Sequence, residues 1–277
     1  VFVDASSDNT PKKIEELLKQ TNIRFKIIRQ KGTGLGDARQ EIFEYVKNKY
    51  DLLIFLDTER LPGKDWIENH VMFHIKNPYI SILCGANVSK DYEPKSPFLD
   101  PNYFIQCNCS IKIDALKNVG GYDRRFKRGE DWDIAIRLFK AGARSFVSRK
   151  VMVKSIEQEN LMRFIKKRIN RPSSFPFILK YGFWYIKKHP QHLIADVIGI
   201  ICLMSLAAIP ILAFIHPQLI SILICLIMLS HFIFLFGLVM FNRVLLKFGP
   251  IKLILLPYLY GISALRSIAT LKRNPKG

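Results

Sequence analysis

Residues 193–241 are almost unbroken hydrocarbon, and no other feature of this 277-residue chain restricts its fold as much. Asp196, the His216-Pro217-Gln218 step and His231 are the interruptions. Each half, Leu193 to Ile215 and Gln218 to Phe241, meets the roughly 20 residues a helix needs to cross a bilayer core, so a transmembrane helical hairpin is expected there. An apolar run this late, behind an N-terminus lacking a basic region followed by an apolar one, is not expected to be a leader.

The charge pattern assigns a side to the hairpin. The formal net charge is +19, which would suit either nucleic acid or an anionic membrane surface. Lys166, Lys167, Arg168, Arg171, Lys180, Lys187 and Lys188 precede the first span, while Arg243, Lys247 and Lys252 follow the second. Basic flanks on both ends predict a multi-pass membrane protein with its preceding domain cytoplasmic. No RNA- or DNA-binding motif accompanies the charge, so the membrane, not nucleic acid, is the expected partner. The five cysteines (Cys84, Cys107, Cys109, Cys202 and Cys225) have no zinc spacing. Cys107 and Cys109 alternate with Ile105 and Ile111 as on one buried strand face, and Cys202 and Cys225 lie in the spans, which predicts reduced core thiols.

Upstream of the spans, short apolar strands alternate with amphipathic helices. Val1 to Val3 reads as a strand ending at Asp4. Pro11 then sits at a first helical position, and Ile14, Leu17 and Leu18 keep helical spacing to Gln20. Phe25 to Ile28 reads as a second strand, Asp37 to Lys49 as a helix, and Leu52 to Leu56 as a third strand stopping at Asp57. Such alternation predicts an α/β fold with a largely parallel sheet. In these folds ligands bind at the carboxyl ends of the strands, where Asp4 and Asp57 fall. A sheet of this kind that opens at Val1, without an initiating Met, is expected to lack one strand-helix unit of about 30 residues.

Two acidic constellations carry candidate chemistry. In Phe55-Leu56-Asp57-Thr58-Glu59, two carboxylates just past a buried strand form either a polar turn or the ligands of one hard cation. In Gly129-Glu130-Asp131-Trp132-Asp133, the acids would open a helix whose inward stripe includes Ile134 and Leu138. There they serve either as favourable charges at the helix start, with an Asp133–Arg137 pair, or as a base presented to an acceptor.

Taken in order, these motifs resemble those of family 2 glycosyltransferases over Val1 to about Ser155. Val3-Asp4-Ala5-Ser6-Ser7-Asp8-Asn9-Thr10 is similar to the family's nucleotide-contacting stretch, with Ala5 where glycine is usual. Gly34, Ala38 and Arg39 match its helix start, where Asn is more usual than Gln40. Asp57-Thr58-Glu59 matches the metal-binding DxD motif with Glu59 for the second aspartate. Asn108 to Asp114 with Val119-Gly120-Gly121-Tyr122-Asp123 resembles the segment under the acceptor site, and Gly129-Glu130-Asp131 matches the base motif. The resemblance implies a GT-A-type nucleotide-sugar-binding sheet sandwiched by helices. It implies a nucleotide-sugar donor near Asp4, Ser6, Arg39 and Asp57, and a divalent metal (Mg or Mn) on Asp57 and Glu59. It also implies inverting transfer, with Asp131 as base and Glu130 orienting the acceptor.

The remaining features fill out the layout. His70 and His74 are spaced like a metal pair but lack a third ligand, so a structural role is expected. Gly32-x-Gly34-x-Gly36 reads as a turn before a helix, not as a phosphate loop. Asn160 to His192 interleaves aromatic and basic residues, as in helices lying on a membrane face near a lipid-linked or membrane-presented acceptor. Processive polysaccharide synthases carry a QxxRW-type motif hereabouts; its absence from Arg168 to Phe175 points to transfer of a single sugar. Ile251 to Leu271, broken by Pro257, Gly261 and Arg266, is expected to be a re-entrant or interfacial helix. The expected layout is thus a catalytic domain at 1–155, interfacial helices at 156–192, the hairpin at 193–241 and a basic loop with a last membrane helix at 242–277. Two competing functions are a polyprenyl-phosphate sugar synthase, whose ionised acceptor needs no base, and a catalytically idle membrane-bound binding subunit.

Overall fold

The computed structural model describes residues 1–87, 104, 106–156, 160–215, 224–225, 227–229, 231–233 and 250–273. The chain divides into two compact units, Val1–Gln158 and Glu159–Gly277.

The first unit interleaves strands and helices in the order β1 (Phe2–Asp4), α1 (Thr10–Lys19), β2 (Ile27–Arg29), α2 (Leu35–Val46), β3 (Leu52–Leu56), β4 (Arg60–Pro62), α3 (Trp66–Lys76), β5 (Ile82–Asn87), β6 (Asn108–Lys112), α4 (Ile113–Asn118), α5 (Glu130–Lys140) and β7 (Ser145–Ser155). The expectation of a largely parallel sheet is corrected. β1 and β2 form a parallel pair, but the larger sheet is mixed, ordered β3-β6-β5-β7-β4, with β5–β7 its one parallel pairing. Two local events turn the chain back. Asp57 to Arg60 is a tight turn, Arg60 N–H donating to Asp57 O at 3.0 Å, and it sends β4 away from β3. β6 then inserts between β3 and β5, antiparallel to both. The second strand begins two residues and ends one residue later than expected, at Ile27–Arg29.

β6 is buried on both faces, and its alternation separates two chemistries. Cys109 and Ile111 enter the main core with Ile82, Leu116, Ile134 and Leu138, where each fully buried aliphatic side chain contributes about 1.5–3 kcal/mol. Asn108 and Ser110 face α3 instead. Trp66 Nε1 donates to Asn108 Oδ1 at 3.0 Å, and the Ser110 hydroxyl lies 2.8 Å from His70 Nδ1 and 2.9 Å from His74 Nε2. His74 Nδ1 faces the carbonyl of Ile80 at 3.3 Å, which can only accept, so this nitrogen carries the proton. His74 Nε2 must then accept from Ser110, whose oxygen accepts from His70 Nδ1–H. The histidines expected to be structural are a hydrogen-bonded neutral pair, and burial lowers both to about 4.

α2 and α5 are joined by the loop that follows α4. Gly121, at φ +73°, lies where an added Cβ would sit 2.6 Å from the Phe43 ring and 2.5 Å from Gln40 Oε1, so only glycine lets the loop settle on α2. Its far side is fixed by Arg137, which donates to the carbonyls of Val119 and Gly121, both at 2.6 Å, and pairs with fully buried Asp133 at 2.7 Å. The Asp133–Arg137 pair expected from the i, i+4 spacing therefore also anchors the loop.

The second unit is helical where described: α6 (Leu161–Ile169), α7 (Phe175–Tyr181), α8 (Phe183–Lys188), α9 (Pro190–Ile215) and α10 (Pro250–Arg273). The Asn160 side chain caps α6, accepting from Arg163 N–H at 2.8 Å. α9 and α10 pack backbone to backbone: a Cβ on Gly261 would meet Gly199 O at 2.2 Å. Among the described residues, Pro190–Ala208 is the stretch long and apolar enough to cross a membrane, at a mean hydropathy of 1.8. Most of the second expected span, Gln218 to Phe241, lies outside the described residues, as does Ile105. The last apolar segment, where a re-entrant or interfacial helix was expected, is one continuous helix containing Pro257.

Two outcomes follow for the first unit. Asp133→Asn strips the loop anchor of its charge partner and should lower unfolding stability by about 2–3 kcal/mol in a denaturant titration of the first unit's signal. For the histidine pair, the folded pKa lies below the unfolded one. Their contribution is therefore complete above about pH 6.5 and is lost as pH falls toward about 4. The melting temperature should drop across that window, and His70→Gln with His74→Gln should flatten the drop.

Candidate active site

The candidate residues fall into two groups. At the end of β1, Asp4 accepts from the Ser6 hydroxyl at 2.6 Å and from Ser6 N–H at 3.2 Å. The parallel register opposes Asp4 to Arg29, whose guanidinium lies 3.1 Å from the Asp4 carboxylate. Asp4 and Ser6 thus form one polar corner together with Arg29, a residue the sequence motif did not mark. The signal for Arg29 was a cation at the end of the neighbouring parallel strand, but the expected strand stopped one residue short of it.

The second group gathers about Arg39. Its guanidinium, with the side chain 11% exposed, pairs with Glu130, whose side chain is 2% exposed. It also feels the charges of Asp131 and Asp57 and lies 5.9 Å over the Phe55 ring. One buried cation is thus paired with Glu130 at the start of α5 and acted on by the charges of Asp131 beside it and of Asp57 at the end of β3. Burial raises Glu130 above the ordinary carboxylate range, Arg39 pulls it back and Asp131 pushes it up further. Burial also raises Asp131, opposed by Arg39 and by the Trp132 N–H, which donates to Asp131 Oδ1 at 2.9 Å. Nearby, burial raises the Cys107 thiol, which makes it a poor nucleophile.

Tyr122 and Gln40 belong to the sequence motifs but had no role assigned to them. Gln40 Oε1 accepts from Tyr122 N–H at 2.6 Å, and the fully buried Tyr122 hydroxyl accepts from Gln106 Nε2 at 2.5 Å. Around the glycine-rich turn, Glu41 Oε1 accepts from Lys31 N–H at 3.0 Å and from Gly32 N–H at 3.2 Å, and Asp37 accepts from Thr33 N–H at 2.8 Å. Leu35 and Gly36 N–H donate to Lys127 O and Phe126 O at 3.0 and 3.2 Å. Those amides are occupied by protein oxygens, as suits a turn before a helix and not a phosphate cradle.

Asp57 and Glu59 place two carboxylates within the β3–β4 turn, Asp57 exposed and Glu59 half-buried. Among the described residues no group of three or more His, Cys, Asp or Glu could enclose a metal. That donor set fits a cation such as Mg, which takes one or two carboxylates and completes its shell with substrate phosphate oxygens and water.

Over 115 residues the chain is 29% identical to the pre-mycofactocin glycosyltransferase of Mycobacterium tuberculosis, in strains CDC 1551 / Oshkosh and ATCC 25618 / H37Rv; the match covers 34% of this chain and 24% of that protein. The chain thus spans 24% of the length of the curated relatives it matches. Among solved structures, the mannosyltransferase PcManGT from Pyrobaculum calidifontis, in complex with GDP-Man and Mn2+, aligns at TM-score 0.54 and 14% identity over 96% of this chain and 76% of its own. S. aureus TarS 1-349 in complex with UDP-GlcNAc aligns at TM-score 0.47 and 13% identity, over 99% and 82%. The likeness to PcManGT is one of fold, and the mixed sheet flanked by helices is GT-A-like. The family described as "Glycosyl transferase family 2" matches residues 1–151, more than half of the sequence, and the chain belongs to that family.

Proposed function

We propose that the chain is a membrane-anchored, inverting glycosyltransferase that moves a single sugar from a nucleotide-sugar donor to a hydroxyl of a lipid-linked or membrane-presented saccharide. The observation that carries this reading is the buried Arg39–Glu130 pair next to Asp131, on whose cation the charges of Asp131 and Asp57 also act, in a chain of this family. Asp131 is the base. Its raised pKa brings a carboxylate closer to neutral pH, where a base combines a deprotonated resting state with a stronger pull on the acceptor proton. As the acceptor oxygen attacks the anomeric carbon, Asp131 takes its proton and the nucleoside diphosphate leaves from the opposite face. Glu130, buried against Arg39, orients the acceptor end of the site. Asp57 and Glu59 would hold the divalent cation, Mg or Mn, and Asp4 with Ser6 lies on the nucleoside side. When bound, the cation neutralises charge on the departing diphosphate. The α9 helix is the membrane anchor, and its basic flank is consistent with a cytoplasmic catalytic domain.

Two substitutions test this reading. Asp57→Ala should abolish the metal-dependent part of UDP or GDP binding in a calorimetric titration with MnCl2; binding that is equal with and without chelator would remove the cation from Asp57. Asp131→Asn keeps the size of the side chain and removes the proton acceptor. The variant should fold, bind nucleotide and lose about 10²- to 10⁴-fold in transfer rate. Transfer retained within a few-fold would instead favour an acceptor already ionised, as in a polyprenyl-phosphate sugar synthase. A wild type that turns over no nucleotide sugar in membranes would leave only a binding subunit.

A further inference from the structure

The resemblance to the family sets Arg39 beside the nucleotide, yet its surroundings are acids. We propose that Arg39 is a positioning residue for the paired acids that open α5, acting through Glu130 on the geometry of Asp131, and not a contact to the donor. The inference deepens the proposed function and rests on its assignment of Asp131 as base.

Three observations carry it. First, the guanidinium is already engaged. It is paired with a carboxylate that is itself almost completely buried, so a diphosphate claiming Arg39 would leave Glu130 as an uncompensated buried charge. Second, Arg39 does not act alone. The first turns of α2 hold the approach to α5 at four further points: Leu35 N–H to Lys127 O, Gly36 N–H to Phe126 O, Asp37 to Arg124 at 3.2 Å, and Gln40 to Tyr122 N–H. Together with Arg39 these contacts run from Tyr122 to Glu130, so α2 is the surface on which the loop and the first residue of α5 are laid. Third, the guanidinium is packed as well as paired, with the Phe55 ring beneath it. A planar, ion-paired cation held against an aromatic ring has little freedom to swing toward a ligand.

Asp131 follows Glu130 directly in the first turn of α5. Fixing the Glu130 carboxylate to α2 therefore fixes where the next carboxylate is presented. Arg128, exposed at the surface, also acts on Glu130, more weakly than Arg39.

The test uses the full chain in detergent, with UDP and GDP plus MnCl2 as binding probes and release of nucleoside diphosphate from their sugar esters as the rate. Arg39→Met should leave the affinity for whichever nucleotide binds within about threefold while lowering the rate at saturating donor about 100-fold, and Arg39→Lys should recover about tenfold of that loss. Because Arg39 acts through Glu130, the double variant Arg39→Met with Glu130→Gln should be no slower than Arg39→Met alone, within about threefold, whereas independent roles would multiply. Nucleotide affinity weakened tenfold or more, with the saturated rate kept, would overturn the proposal and return Arg39 to the donor. Multiplying losses would overturn it too. The pairing is also read without turnover: in thermal unfolding, Glu130→Gln should restore part of the stability lost in Arg39→Met, and additive losses would overturn it. A wild type that binds nucleotide but releases none refutes the transferase reading, while the melting cycle still decides the pairing.

Discussion

A buried carboxylate needs a fixed cation or it protonates, and this constraint organises the first unit. Glu130 is nearly without solvent, and desolvation is the largest influence on it and on its neighbour Asp131. Arg39 supplies the opposing charge from a different element, so α2 and α5 cannot drift apart without exposing an unpaired ion at each end. The glycines before and after serve the same requirement. Gly34 and Gly36 let the loop carbonyls reach the first amides of α2, and Gly121 lets the loop turn against Phe43. Removing any of these contacts would act on the acids at a distance, through backbone position and not through charge.

The fold was legible wherever pattern and burial coincide. β3 stands where the apolar run Leu52 to Leu56 put it, and α5 opens at Glu130 as the acids in its first turn suggest. The strand directions were not legible. Alternation of strands and helices reads as parallel pairing, but nothing in the residues Asp57 to Arg60 distinguishes a loop into a helix from a tight turn into β4. Likewise β6 is apolar on one face and carries Asn108 and Ser110 on the other, and the polar face becomes intelligible only when Trp66, His70 and His74 are seen to meet it.

The same division holds for the site. The acids were visible because carboxylates at a strand end and a helix start are local features. Their pairings were not, since Arg29 and Arg39 reach them across 25 and 91 residues of sequence. The roles of Tyr122 and Gln106 escaped notice for a related reason. A buried tyrosine in a Gly-Gly-Tyr turn looks like a surface turn until its hydroxyl is found bonded to Gln106 just before β6, which lets a large polar ring fill core space with its own oxygen hydrogen-bonded.

Asp196 poses the converse problem in the second unit, a fully buried acid inside the helix that is otherwise apolar enough to cross a membrane. An isolated charge there would cost several kcal/mol. It is not isolated: Arg171 pairs with it, and Ser174 donates to it from both N–H and hydroxyl, at 2.6 and 2.8 Å. Arg171 in turn stacks 3.6 Å from the Tyr260 ring, and its carbonyl accepts from Ser263 at 2.8 Å, both on α10. The acid therefore faces the interior of its own helical unit, and the close packing at Gly199 and Gly261 begins one turn further along the same helix. In a bilayer, small residues at a crossing and polar groups satisfied between helices replace the hydrophobic drive that water would otherwise supply. Asp196 is thus an internal tie between the residues before α7 and the α9–α10 pair, and its charge is no argument against α9 as a membrane span.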